Sequence, residues 1–494
     1  MLYKVRKVES MKEYKLYING KWIETTSGKI INDINPADGT TFARVHLAGE
    51  LETEMALESA QRAFTSWSKT MAAQREQILW KAADCLEKMV DEAIEIMICE
   101  SGSTYTKARS ELAGAVNVIR VAAGECRRIE GEINQPTSAD QVSLAVRVPL
   151  GVVAGIAPFN YPVILAVKKL AYALAAGDTF ILKPASVTPL SGYIIATAFE
   201  RAGLPAGVLN VIPGPGDIVG DKLVEDQRVK CVTFTGSSPV GRSIAAKAGY
   251  HLKKFAMELG GKNPLIILGD YDVEQAIKIA GYGAFYHQGQ VCMASSRIIV
   301  EAPIYDAFCE GLVAYARTLR IGDPHDPDTI IGPLISNEQC DFIDGQIQDA
   351  RSKGAKILTG GKHQGTFYEP TILAEVTPEM DIFYQETFGP VTSIFCVENA
   401  EQALALCNDN KFGLSSALLT YDMRLAIKLG LNMESGMVHI NDTTFVSGIT
   451  APSGGIKNSG YGREGGRYSI EDYTELKWIT MQYADKKMPF EPKM

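Results

Sequence analysis

The stretch Val152-Val153-Ala154-Gly155-Ile156-Ala157-Pro158-Phe159-Asn160-Tyr161-Pro162 joins a five-residue apolar run to a turn rich in proline. A short unbroken apolar run that ends in turn residues reads as a strand buried on both faces. Val163 to Ala175 follow with apolar residues at helical spacing. The same pair of textures then repeats. Thr179 to Leu182, Val208 to Ile212 and Cys231 to Phe234 read as strands, and Pro189 to Ala202, Ile218 to Glu225 and Pro239 to Ala248 as helices. Such alternation implies parallel pairing, so the fold class is α/β with a doubly wound sheet. Sheets of this kind bind ligands in the loops at the carboxyl ends of their strands. Here those loops are PFNYP (158–162), KPAS (183–186), PGPG (213–216) and TGSS (235–238).

Upstream, Glu52 to Trp67, Met71 to Met89 and Asp91 to Glu100 carry the helical period. Downstream, a second α/β block runs from Asp270 to Val446 and begins with a helix whose end is expected to carry Cys292. Tyr473 to Tyr483 alternates apolar and polar residues like an exposed strand, an edge that a partner subunit usually covers.

A chain of 494 residues exceeds one ordinary core, so two or three domains are expected. The net charge of −9, with no basic cluster, argues against a nucleic-acid groove. Apolar stretches such as Leu150 to Phe159 fall short of a membrane span. Met1 to Lys7 is basic but Glu9 and Lys12 follow, not an apolar leader core, and a cytoplasmic protein is expected. Nine cysteines without a CxxC pair fit reduced thiols, and six scattered histidines without HxxH or HExxH spacing point to no metal.

Two runs carry possible covalent chemistry: Cys292 in GQVCMASSR and Glu258 in MELGGK. An ionised thiol attacks carbonyl carbon, and a carboxylate can activate water to release what the thiol captured. Taken singly, a cysteine is more often a small buried hydrophobe and a glutamate a solvated charge. GPGDIVG (214–220) has one residue too many for a dinucleotide fingerprint and reads as a loop. GSSPVG (236–241) follows a strand and opens a helix, so its amides either face a phosphate or nicotinamide or close a tight turn capped by serine. Lys183 ends a buried strand and points toward the ligand crevice, whereas a structural lysine would snorkel outward. Asn160 either donates its amide to a developing oxyanion or closes an Asx turn. No GxxxxGK[ST] loop and no GxSxG elbow stand out.

In order along the chain, PFNYP, KPAS, FTGSSPVGR, MELGGKNP, GQVCMASSR, QETFGPV (385–391) and GGIKNSGYGREGG (454–466) resemble the motifs of the aldehyde dehydrogenase superfamily. The resemblance runs from about Tyr17 to Gln482 and leaves Met1 to Ser10 outside. It implies a Rossmann-like dinucleotide-binding domain (1–130 and 150–268), an α/β catalytic domain (269–447) and a small β oligomerisation element (131–149 and 470–486). It further implies a homodimer or homotetramer.

The same resemblance assigns roles. Cys292 would be the nucleophile, Asn160 with the Cys292 N–H the oxyanion donors, and Glu258 the base that hydrolyses the thioester. Relatives that pass the acyl group to coenzyme A typically lack that carboxylate, so a hydrolytic enzyme is implied. Lys169 and Glu464 match a supporting proton relay. Ile156, Ala157, Pro158, Lys183, Ser186, Gly216, Gly236, Ser237, Gly241, Leu259, Glu386 and Phe388 would hold the dinucleotide. At Ser186 many NAD-dependent members carry Glu, which repels a 2′-phosphate, so NADP is expected to be accepted at least as well as NAD. Ser453 stands where Phe is usual, and the loop Val446 to Ala451 has no familiar pattern. HINDTT (439–444) and TELKWITMQ (474–482) resemble benzaldehyde and vanillin dehydrogenases, and Tyr161, Tyr286 and Phe445 could line an aromatic tunnel. Lys168 sits where semialdehyde-oxidising relatives carry an arginine, which keeps a semialdehyde or a small aliphatic or hydroxy-aldehyde open. Readings from other classes are a catalytically silent protein on the same fold and a cysteine hydrolase.

Overall fold

The computed structural model describes residues 12–446, 448–486 and 490, so Met1 to Ser10 lie outside the described residues. Two large sheets organise the chain. The first has eight strands in the order Gly460–Tyr461, Lys254–Glu258, Val229–Thr235, Val152–Ile156, Thr179–Lys183, Leu209–Val211, Leu16–Ile18 and Lys21–Ile23. Its five central strands run parallel, as the strand–helix alternation requires. Val152–Ile156 is buried at all five positions, which is why it reads as an unbroken apolar run.

The winding direction reverses beside this strand. From Val152–Ile156 the chain steps to Thr179–Lys183 and Leu209–Val211 on one side, then returns to Val229–Thr235 on the other. The carboxyl ends on either side of such a switch point splay apart and leave a crevice. Register brings the loop starts together, because Ile156 stands opposite both Lys183 and Phe234.

The second sheet has seven strands in the order Lys356–Thr359, Thr371–Ala374, Val391–Val397, Ser295–Glu301, Asn263–Ile267, Ser415–Leu419 and Met437–Ile440. The link Leu259–Lys262 carries the chain directly from the first sheet into the second. The helices Glu50–Trp67, Ala72–Lys88 and Val90–Ser101 lie where the apolar period places them. Ile218 to Glu225 is not one helix: a π turn, Gly216–Gly220, runs into the short helix Asp221–Glu225.

A third sheet joins Glu132–Asn134, Gln141–Pro149 and Thr474–Gln482, the last two paired over nine positions. Thr474–Gln482 is exposed along its length except at Thr474, and Leu476, Trp478 and Met481 face solvent. No described helix is long and apolar enough to cross a membrane.

Candidate active site

A cleft of about 1170 Å³ opens at the switch point, between the two sheets. Ligand clefts commonly span roughly 300–1,000 Å³, so this one has room for a dinucleotide. Its walls include Ile156, Ala157, Pro158 and Asn160 from the first loop and Lys183 and Ala185 from the second. Gly216, Gly236 and Ser237 come from the next two loops, and Leu259, Cys292, Glu386 and Phe388 from the side of the second sheet. Two residues expected on this wall lie off it. Ser186 is exposed one position beyond Ala185, because Pro184 turns the chain after the strand ends at Lys183. Gly241 instead lets its helix press on Leu259, whose side chain a Cβ there would strike.

The start of the helix Ser238–Tyr250 answers one question left open by sequence. Ser237 occupies the cap position yet makes no side-chain cap bond, and Pro239 sits in the first turn. The amides of this turn therefore stay available to an anion at the positive end of the helix. Lys183 is buried, and among the described residues its Nζ reaches only the Pro184 carbonyl, at 3.4 Å. Burial alone pushes its pKa down to about 8. A buried cation without an anionic partner suits a ligand oxygen.

Cys292 does not end the helix Val273–Phe285. A 3₁₀ turn, Tyr286–Gly289, intervenes, with His287 and Gln288 at φ +50° and +53°. Two consecutive non-glycine residues in the left-handed region are uncommon and are held by their burial. The loop is then pinned from the second sheet: Asn263 Nδ2 donates to the carbonyls of Cys292 at 2.7 Å and Ala294 at 3.0 Å. Thr444 Oγ1 donates to the Met293 carbonyl at 2.6 Å, which ties the segment carrying Phe445 to the cysteine loop.

Asn160 stands across from this loop, its Nδ2 donating to the Gln290 carbonyl at 2.9 Å. Burial pushes the Cys292 thiol up to about 12, with the Glu386 and Glu258 carboxylates adding to the rise and Lys168 opposing it. Glu258, at the carboxyl end of Lys254–Glu258, is held well above the usual carboxylate range by burial and then by Glu464; Lys169, Lys168 and Arg463 pull the other way. Lys169 and Glu464, 295 positions apart, form a buried ion pair at 2.6 Å. Glu386 accepts from the Gly261 amide at 3.0 Å, and burial raises it to about 7. Phe388 sits at φ +52° with its ring edge-on to Phe159.

Tyr161, Tyr286 and Phe445 do come together, joined by Tyr282. Ring centroids are 5.9 Å apart for Tyr161–Phe445, 5.5 Å for Tyr286–Phe445 and 5.0 Å for Tyr282–Tyr286. The Tyr161 hydroxyl is buried and has no hydrogen-bond partner among the described residues. Lys168 is buried as well. Sequence reasoning missed Arg242, Gln339 and Lys411, which also line the cleft; Arg242 closes the motif FTGSSPVGR, and no local motif marks the other two. Among the described residues one group of potential metal ligands, Glu95, Cys99 and His325, falls within 4.8 Å of one another, and none of the three lines the cleft.

Residues 22–479 match the aldehyde dehydrogenase family. The chain is 38% identical to vanillin dehydrogenase of Corynebacterium glutamicum, over 94% of this chain and 97% of that protein. It is 38% identical to glutarate-semialdehyde dehydrogenase of Pseudomonas putida, over 94% and 96%. Among solved structures, a salicylaldehyde dehydrogenase from Pseudomonas putida G7 complexed with salicylaldehyde superposes with a TM-score of 0.95 at 36% identity, over 97% and 100% of the two chains. The chain therefore belongs to the aldehyde dehydrogenase family, NAD(P)-dependent oxidoreductases that act on aldehydes.

Proposed function

We propose that the protein oxidises aromatic aldehydes to carboxylic acids, with the substrate carbon held on Cys292. The observation that carries this reading is one cleft with Cys292 and Asn160 on its wall, backed by the cluster of Tyr161, Tyr282, Tyr286 and Phe445. The Cys292 thiol passes its proton to water in the cleft as its sulfur bonds to the aldehyde carbon. The Asn160 amide and the Cys292 N–H receive the oxygen as it gains charge. Bound NAD(P)⁺ supplies the acceptor for the hydride that leaves this carbon. Glu258 then takes a proton from water, whose oxygen displaces sulfur and frees the acid. The buried Lys169–Glu464 pair beside Glu258 carries that proton onward. Lys183 and Glu386 would hold the two ribose ends of the dinucleotide, with Phe388 beside its nicotinamide end.

Relatives acting on ring aldehydes and the unpartnered Tyr161 hydroxyl favour substrates with a ring substituent that accepts a hydrogen bond. Lys168, whose charge reaches both Cys292 and Glu258, supports the second reading, a carboxylated semialdehyde. A panel of vanillin, salicylaldehyde, benzaldehyde and glutarate semialdehyde, run with NAD and with NADP, tests both. Higher kcat/KM for the ring aldehydes is expected; a preference for the semialdehyde overturns the aromatic reading in favour of Lys168.

In the same panel NADP is expected to serve at least as well as NAD. No carboxylate stands at Ser186, and Lys183 can pair with a 2′-phosphate. A charge-assisted contact of this kind contributes about 1.5–3 kcal/mol. Ser186→Glu projects a carboxylate from the exposed position next to Ala185 and should shift preference toward NAD by roughly ten- to a hundredfold. A parent that uses NAD exclusively would place the discrimination elsewhere, with the cleft-lining Asp217 and Asp221 the nearest acidic groups on that wall.

The exposed strand Thr474–Gln482 is proposed to pair across a subunit boundary. Its neighbour Gln141–Pro149 covers one edge and leaves the other open, an arrangement that soluble proteins usually cover. Light scattering at micromolar concentration should show a dimer or tetramer, and a stable monomer would contradict the pairing.

A further inference from the structure

A fully buried ion pair lies behind the cleft-lining residue Asn160. Lys107 and Glu111, one turn apart on the helix Tyr105–Glu125, have no exposed side-chain surface and meet at 2.6 Å. The three ammonium hydrogens of Lys107 have three acceptors: Glu111 Oε2, Ser103 Oγ at 2.9 Å and the Asn160 carbonyl at 2.5 Å. The other carboxylate oxygen of Glu111 accepts the amides of Val163 at 2.8 Å and Ile164 at 3.0 Å. Those amides open the helix Ile164–Ala176, so Glu111 supplies the cap that this helix lacks in its own sequence.

The Asn160 carbonyl also meets His287 Nε2 at 2.9 Å, and since a carbonyl only accepts, that nitrogen carries the proton. The carbonyl thus receives two donors, one from the helix Tyr105–Glu125 and one from the turn before Cys292. The segment 160–164 is gripped at both ends by a single ion pair, and the Asn160 side chain projects from the gripped end into the cleft. A buried ion pair is seldom justified by stability, because desolvation offsets most of the attraction. Its geometric effect here falls on one side chain.

We propose that Lys107 and Glu111 are positioning residues, holding the Asn160 amide where the substrate oxygen gains charge. This rests on the reading of Asn160 as an oxyanion donor. The pair does not touch substrate. It acts by fixing the peptide from which the donor projects, and a displacement of about 1 Å at such a donor is enough to cost about a hundredfold in rate.

Lys107→Met alone strands a buried carboxylate and can unfold the chain, so the informative variant is Lys107→Met with Glu111→Gln. The Gln oxygen still accepts from Val163 and Ile164, Met fills the space of the lysine stem, and no charge is left unpaired. The folded double variant should keep its Tm near that of the parent and its KM for aldehyde and cofactor within about threefold, while kcat falls by roughly 30- to 100-fold. The same pair of changes in an Asn160→Ala background should cost nothing further, because the residue it acts through is gone. A purely structural role would multiply the two losses instead. Multiplied losses, or a folded double variant with kcat within about twofold of the parent, overturn the proposal. Undiminished turnover in Asn160→Ala alone overturns the oxyanion reading itself, a result distinguishable from failure of the positioning role.

Discussion

Cys292→Ala is expected to abolish aldehyde oxidation, with kcat reduced at least about 10⁴-fold, while dinucleotide affinity stays within about threefold. The separation follows from how the loop is held. Asn263 grips the carbonyl of residue 292, not its side chain, so alanine leaves the backbone and the cleft wall in place. Sulfur contributes the bond that turns the aldehyde carbon tetrahedral, and without it hydride must leave from a carbonyl or its hydrate. Removing this one partly buried sulfur should change Tm little. Turnover within tenfold of the parent would sink the assignment of Cys292. Loss of cofactor binding together with turnover would instead show that the substitution damaged the cleft.

The neutral state of that thiol bears on how the reaction starts. Burial and two nearby carboxylates hold Cys292 near 12, so the unliganded enzyme keeps its nucleophile protonated at neutral pH. Three of the neighbours that set this value are themselves shifted or charged: Glu386 near 7, Glu258 far above its usual range, and Lys168 on the opposing side. Any added positive charge, or neutralisation of Glu386, therefore lowers the thiol pKa directly.

How much of this could be read from sequence depends on whether the signal was local. Val152–Ile156 and its repeats were legible because burial on both faces leaves no room for polar residues, and that shows as an apolar run. Cys292 was legible as a candidate for the cleft wall, which it does line, but not its distance from the helix end. The helix stops at Phe285, and His287 and Gln288 are left-handed ahead of Gly289, so the one glycine that signals a turn marks only its last residue. Ser186 was placed in the cleft by the family resemblance of KPAS, whereas it stands exposed beyond Pro184 and Ala185. Lys107 and Glu111, four apart on a helix, have the spacing of a solvated surface pair. Only tertiary packing makes them the most deeply buried charges behind Asn160. Asn160 reads equally as an Asx-turn residue, and its side-chain bond to Gln290, 130 positions away, is a contact that no local spacing announces.

Glu258→Gln should separate the two halves of the reaction. Gln matches the shape of Glu but takes no proton, so capture of the aldehyde and hydride departure continue while hydrolysis of the thioester stalls. Rapid mixing should then show a burst of reduced cofactor of about one equivalent per site, followed by a steady state slower by roughly 10²–10⁴-fold. The pH dependence gives the same assignment a second handle. Glu258 works as a base only when ionised, and burial with the neighbouring Glu464 raises its pKa well above the ordinary carboxylate value. Deacylation must therefore fall as pH drops through that raised pKa, placing the acidic limb of kcat above the usual range near about 4.3. Because Glu464 and Lys169 interact with it, the limb reports the cluster and not one isolated group. Glu258→Gln should remove the limb along with the steady-state rate. If burst and steady state fell together, or the variant kept the same acidic limb, the base that releases the acid would have to be another group, and the buried Lys169–Glu464 pair would be the first place to look.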